Sequence, residues 1–202
     1  MPMFIQVITA KVVDEEGLTR QVDRWEQEIR PGATGFLGST SGVTDDGRLI
    51  VLARFDSEES AQRNNDRPEQ GSWWADTEKM LDEVTFQNST EVIEMGGGGS
   101  DDAGFVQVMR GRILDAAKME ELRSRMAEFE AIMASHRPDV LGDVTIIHAG
   151  GAYTDAVYFT SEAEARANEN KEMPAEMQAM FEEWMTASTV DEYIDLKRPR
   201  LV

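Results

Sequence analysis

Apolar residues cluster in two runs of nearly the same spelling. Phe4-Ile5-Gln6-Val7 returns as Phe105-Val106-Gln107-Val108. Residues 4–13 are rich in Ile and Val and read as a strand. Leu18, Val22, Trp25 and Ile29 then recur at helical spacing over 17–30, and Arg30-Pro31-Gly32 ends that helix. Residues 36–43 and 48–55 read as strands joined by the turn Asp45-Asp46-Gly47. Ser57 is placed to cap a helix that Arg67-Pro68 interrupts and that resumes through Trp73–Val84. A short strand over 90–95 closes the first half. The second half follows the same plan at 105–114, 116–135, 140–149, 152–159, 161–186 and 190–196. The order in each is βαββαβ, the ferredoxin-like arrangement.

Further matches keep that order. Asp14 pairs with Asp115, Leu37-Gly38 with Leu141-Gly142, and Phe55, Ser57, Glu58, Ala61 and Asn64 with Phe159, Ser161, Glu162, Ala165 and Asn168. Glu91–Met95 is aligned with Glu192–Leu196. An ordered series with small changes of offset identifies a duplication. The expected division is an N-terminal half over 1–95, a flexible glycine-rich linker over 96–104 and a C-terminal half over 105–202. The linker reads as a natural joint or an edited one. Strands such as Leu49-Ile50-Val51-Leu52-Ala53 are apolar on both faces, which calls for cover on both. The expected fold is therefore α+β: two ferredoxin-like halves packed sheet to sheet as an intrachain α+β barrel, a pseudo-dimer within one chain. Further homo-oligomerisation is left open.

Composition narrows the chemistry. Of 202 residues none is Cys, which removes disulfides, thiolate nucleophiles and cysteine-ligated metals. Two histidines cannot build a three-histidine metal centre in one subunit. The net charge of −19, from 39 acidic against 20 basic residues, opposes nucleic acid and anionic lipid as partners. No apolar run approaches the roughly 18 residues of a membrane span. No basic, cleavable N-terminal signal is visible, so a cytoplasmic location is expected.

The βαββαβ order, together with Phe55-Asp56-Ser57-Glu58-Glu59-Ser60-Ala61 and Phe159-Thr160-Ser161-Glu162-Ala163-Glu164-Ala165, resembles the dimeric α+β barrel superfamily, in particular the antibiotic-biosynthesis-monooxygenase-like proteins. The resemblance covers nearly the whole chain, twice. It implies a range of functions: cofactor-free oxygenation of polyketide quinols, haem degradation, haem peroxidation, isomerisation or no reaction. Haem-degrading relatives carry an asparagine on the first strand, and a tryptophan and an iron-ligating histidine on the helix after the third. Here the first strands carry Gln6 and Gln107, and neither helix contains a histidine. No haem, metal or other cofactor is therefore expected.

Candidate ligand-binding residues gather in the first half. Trp73 and Trp74 are adjacent, about 100° apart on a helix, so one can pack inward while the other lines a cavity. Asn64 and Asn65 would serve as polar anchors and Gln6 as a buried amide. Core packing accounts equally for each. His148 at a strand end has the pKa range for proton transfer, or is a solvated hairpin residue. Met119, Met126 and Met133, with Leu122 and Phe129, read as a helix face on a sheet, as do Met177, Met180, Phe181, Trp184 and Met185. Any site is expected in the first half, where tryptophans make a rigid wall, rather than in the second. The expected function is binding of a small hydrophobic or aromatic molecule. It takes the form of a cofactor-independent monooxygenase acting on an aromatic or quinol-like substrate, or of a non-catalytic binding or structural protein. No catalytic residue is identified.

Overall fold

The computed structural model describes residues 2–202. The chain forms two compact units, one running to Glu91 and including Arg200–Val202, the other spanning Val92–Pro199. The first contains β1 (Phe4–Val12), α1 (Glu15–Arg24), β2 (Phe36–Val43), β3 (Arg48–Phe55), α2 (Glu58–Asn65), α3 (Pro68–Thr77) and β4 (Leu81–Ser89). The second contains β5 (Glu91–Met95), β6 (Phe105–Ile113), α4 (Ala116–Ser124), α5 (Met126–His136), β7 (Val140–Ile147), β8 (Ala152–Phe159), α6 (Glu162–Glu169), α7 (Ala175–Ala187) and β9 (Ser188–Leu196). A last strand, β10 (Arg200–Leu201), returns to the first unit.

The two halves use the same local chemistry. Asp14 accepts the Gly17 amide at 2.8 Å and Asp115 the Lys118 amide at 3.0 Å, each opening the first helix of its half. Ser57 accepts from the Ser60 amide at 3.2 Å and Ser161 from the Glu164 amide at 3.3 Å. These caps satisfy amides that helix starts leave without partners. Gly47 closes the β2–β3 turn with φ of 80°, a conformation that glycine adopts without strain. In both halves a phenylalanine on the first strand lies opposite one on the third: Phe4 opposite Phe55, Phe105 opposite Phe159.

The sheets correct the expected architecture. Their orders are β10-β2-β3-β1-β4 and β5-β7-β8-β6-β9, each open with two edge strands. Neither closes into a barrel, so the intrachain α+β barrel is not formed. Closure requires the edges of a sheet to pair with each other. Here β10 and β4 end one sheet, and β5 and β9 end the other. Burial on both strand faces was the basis of the expectation and is present, with Ile5, Val7, Ile50 and Leu52 buried on one face and Phe4, Leu49 and Phe55 on the other. Burial of a face does not specify hydrogen-bonded closure.

The closing strand of the first half also differs. Residues 90–95 were expected to fill that place, but β4 fills it and β5 joins the second sheet beside β7. The helix expected through Val84 stops at Thr77, followed by a tight turn over Glu78–Met80. Val84, Thr85 and Phe86 favour extended backbone. Glu83 takes φ of 55° where the β1–β4 register slips. Ile5 lies opposite Ser89 and Val106 opposite Leu196, so the partner of β9 in the repeat is β4. The alignment of Glu91–Met95 with Glu192–Leu196 is therefore replaced.

Ser57 is 5% exposed, and its hydroxyl is the side-chain cap of α2. Ser57→Ala is expected to cost about 1 kcal/mol. A urea unfolding curve measures it as a lower midpoint at unchanged slope.

Candidate functional site

The second unit holds a cavity of about 710 Å³ between the helices and one face of its sheet. Its walls are soft and apolar. Leu122 of α4, Met126, Phe129 and Met133 of α5, and Met177, Met180 and Trp184 of α7 supply most of them. Met173, Phe181, Met185 and Tyr193 border the same space and are 40–56% exposed, which marks the mouth. The methionine stripes that read as core face this cavity.

The sheet side of the cavity is polar. Side chains alternate across a strand, so Gln107, Asp143, Thr145, Tyr153, Asp155 and Asp195 reach the cavity from four neighbouring strands. Thr145 lies opposite Asp155, and Asp143 lies opposite Val157 two residues along. This diagonal brings the carboxyls of Asp143 and Asp155 together. The Thr145 hydroxyl donates to Asp155 at 3.0 Å and lies 3.4 Å from Asp143. Asp143 is 5% exposed and Asp155 6%.

Two buried carboxylates in contact cannot both stay ionised. Burial, followed by the charge of Asp155, holds the Asp143 carboxyl well above the usual range. Burial also raises Asp155, opposed by the hydrogen bonds it receives from Asp143 and Thr145. The pair thus holds one proton, on Asp143, at pH values where an ordinary carboxyl has already lost its own. Burial first, and then Asp155, pushes the Tyr153 phenol up to about 12, so it stays protonated. It donates to the Thr189 carbonyl at 2.9 Å. The arginines on the cavity wall already have partners. Arg166 bonds Asp195 and reaches Glu169 at 3.1 Å, and Arg137 reaches Asp139 at 2.9 Å. Gln107 donates to Asp195 at 2.9 Å. The Asn168 Oδ1 is buried with no hydrogen-bond partner and lies on the cavity wall.

The corresponding space in the first unit is about 130 Å³. Gln6, Asn64, Asn65, Trp73 and Trp74 all line it, so the structure does bring these candidate residues together. Their polar groups are occupied largely by the protein. The Trp73 indole donates to the Gln21 carbonyl at 2.7 Å, and Arg67 donates to Asn64 at 3.0 Å. Trp25 packs 6.3 Å from Trp73 and donates to Gln70 at 2.9 Å. Counting from the shared caps and strand ends, Trp25, Gln70, Trp73 and Trp74 correspond to Met126, Met177, Met180 and Phe181. Thr77, by contrast, is replaced by the larger Trp184, and Leu49 by Tyr153. Indoles fill in the first half what methionines leave open in the second. The roomier cavity therefore lies in the half opposite to the one expected.

His148 lines neither cavity. It is 7% exposed and pairs with the Thr154 hydroxyl at 2.9 Å, on the sheet face opposite Asp155. Burial, then the charge of Arg110, lowers its pKa and keeps it neutral. Asp143 and Asp155 were not among the sequence candidates. A signal existed: where the second half has Asp143 and Asp155, the first has Ser39 and Val51. Among the described residues no group of three or more acidic or histidine side chains is arranged to hold a metal ion. No helix among them is long and apolar enough to cross a membrane.

No protein-family model matches this chain, and no curated protein matches its sequence. Solved structures do. A "putative monooxygenase" from Lactobacillus acidophilus NCFM is similar over 100% of both chains, with a TM-score of 0.73 and 10% identity. Another, from Fusobacterium nucleatum, matches over 99% of this chain and 94% of its own, with a TM-score of 0.70 and 7% identity. An "anthrone oxidase-like protein" matches over 100% and 94%, with a TM-score of 0.66 and 9% identity. At these identities the likeness is one of fold.

The acid pair makes stability depend on pH in a defined direction. An unfolded Asp143 ionises near its ordinary value of 3.8, whereas the folded one holds its proton to higher pH. Its contribution is complete below that value and is lost as pH rises toward the folded value. Relative to Asp143→Asn, the native chain should lose up to about 1.4 kcal/mol per pH unit over that window. Urea unfolding of both proteins from pH 4 to pH 8 measures the difference.

Proposed function

We propose that the second-half cavity binds a small hydrophobic or aromatic molecule, and that the protein oxygenates such a molecule without a cofactor. The observation that carries this is the cavity itself. Its volume of about 710 Å³ falls within the roughly 300–1,000 Å³ typical of small-molecule sites, and apolar walls surround a small polar floor. Methionine walls adapt to planar ligands and exclude water. The fold shared with an anthrone oxidase-like protein supports the choice of a reduced, quinol-like aromatic substrate. In such a reaction an acidified methylene loses a proton and its carbanion reduces dioxygen. A carbon–oxygen bond forms, and the hydroperoxide loses water to leave a carbonyl. The sum is CH2 + O2 → C=O + H2O. The first-half tryptophans serve packing in this reading.

Anthrone is the probe. Calorimetric titration should show one saturable site per chain, and oxygen uptake should follow its addition. A protein that only binds would give the first result without the second. Met180→Trp, which restores the side chain that the first half has at Trp73, should weaken binding at least tenfold without lowering the melting temperature. Trp73→Ala should leave binding unchanged and lower stability by roughly 3 kcal/mol. The proposal fails if Met180→Trp binds as the native chain does while Trp73→Ala does not.

A further inference from the structure

The polar floor of the large cavity has a feature that ligand binding does not require. An apolar ligand would be served better by Ser39 and Val51, which occupy the same sheet positions in the first half. The second half instead buries two carboxyls and gives them no cation. Arg166 and Arg137, the arginines bordering the cavity, are committed to Asp195 and Asp139. Thr145 alone bridges the pair, through one hydroxyl. Burying acids without a counter-charge is costly, and such groups mark sites of proton transfer more often than sites of structure.

Resting on the cavity reading above, we infer that Asp143 and Asp155 are catalytic residues that together act as the base toward a hydroxylated aromatic ketone with an activated benzylic methylene, bound over them. Asp155, the ionised partner, faces the cavity with Thr145 holding one of its oxygens. A proton taken from the ligand's activated C–H passes to Asp155, and the electron pair of the broken C–H bond moves onto the ligand's carbonyl oxygen as an enolate. Asp143, already protonated, stabilises the Asp155 carboxylate between turnovers through the hydrogen bond it donates. No oxidant enters this step, and the proton returns to carbon when oxygen is withheld. The hydroxyl in the ligand class comes from a second observation. Asn168 Oδ1 is buried on the wall and accepts nothing, whereas its counterpart Asn64 accepts from Arg67. Position 171, which corresponds to Arg67, is a lysine. The Asn168 oxygen is left over for a donor on the ligand.

The experiment separates proton abstraction from oxygenation. The full chain is incubated under argon in deuterated buffer with 6-hydroxy-2-tetralone, a phenolic ketone whose methylene between ring and carbonyl is acidic, and deuterium uptake is followed by NMR. The native protein should accelerate uptake. Asp155→Asn should lower that acceleration about 100-fold, the scale of general-base catalysis, with calorimetric affinity within threefold of native. Asp143→Asn should lower it by a smaller factor. Binding without acceleration, or acceleration unchanged in Asp155→Asn, would overturn the inference and leave the cavity reading standing. Absence of binding would overturn both. A measurement on the native chain guards against a variant that does not fold. Infrared spectroscopy at neutral pH should show a protonated carboxyl stretch that shifts when the probe binds, and its absence would overturn the shared-proton pair.

Discussion

Both halves depend on the register between their first and third strands. Phe4 opposite Phe55 and Phe105 opposite Phe159 pin one end of each pairing under the start of the second helical segment. Because the side-chain period of a strand is two, a slip of one residue would turn every inward side chain outward. In the first half it would present Ile5, Val7 and Leu52 to the helices in place of Gln6, Ile8 and Ala53. In the second it would carry Asp155 to the face now held by Thr154 and Ala156, away from the cavity. The closeness of Asp143 to Asp155 is set by the β7–β8 pairing and that of Gln107 to Asp195 by the β6–β9 pairing, and the β6–β8 register brings the two pairs onto the same face.

On that common frame the space over each sheet is set by side-chain volume. Trp25, Trp73, Trp74 and Phe86 form a run of ring contacts at 5.4–6.3 Å that occupies the space over the first sheet. The Trp25 and Trp73 indole N–H groups find partners at Gln70 and Gln21, so the fit is specific. The second half places Met126, Met177 and Met180 at the corresponding points. A methionine is narrower than an indole and unbranched, and it leaves space that the backbone does not collapse to fill. Rigid aromatic side chains thus close a site here, and flexible ones keep it open.

Much of this was legible in the sequence. The βαββαβ order appears twice in the apolar runs, and the helix starts at Asp14, Asp115, Ser57 and Ser161 follow from short-range chemistry that a single turn decides. What escaped was non-local. That β5 crosses to the second sheet while Arg200–Leu201 returns to the first is a choice among distant pairing partners, and no local pattern encodes it. Val84-Thr85-Phe86 carried a strand signal that the preceding helical run masked. Of the candidate ligand residues, Gln6, Asn64, Asn65, Trp73 and Trp74 surround one space and His148 lies apart from it. Which half is hollow could not be read from residue types, since the volume left over is a sum across several elements. Asp143 and Asp155 were readable in principle as charges in otherwise apolar strands at positions where the sister half has none.

The duplication gives a reason for the acid pair to be where it is. A buried, unpaired carboxylate lowers stability, and a domain only 5–15 kcal/mol stable tolerates few of them. A second copy of the same fold changes the balance. The first half fills its core with aromatic rings, hydrogen-bonds its indoles, and has Ser39, Ser41 and Val51 on the inner sheet face. It contains little that opposes folding. The second half leaves its core hollow and places Asp143, Thr145 and Asp155 on the equivalent face. Local departures from the rules of good packing gather at functional sites and are compensated elsewhere. Here the departures of polarity and charge fall on one face of one sheet, and those of size on the helices that face it. Random drift in a redundant copy would scatter such changes over the fold, so their coincidence around a single cavity argues that this cavity is where the second half is constrained.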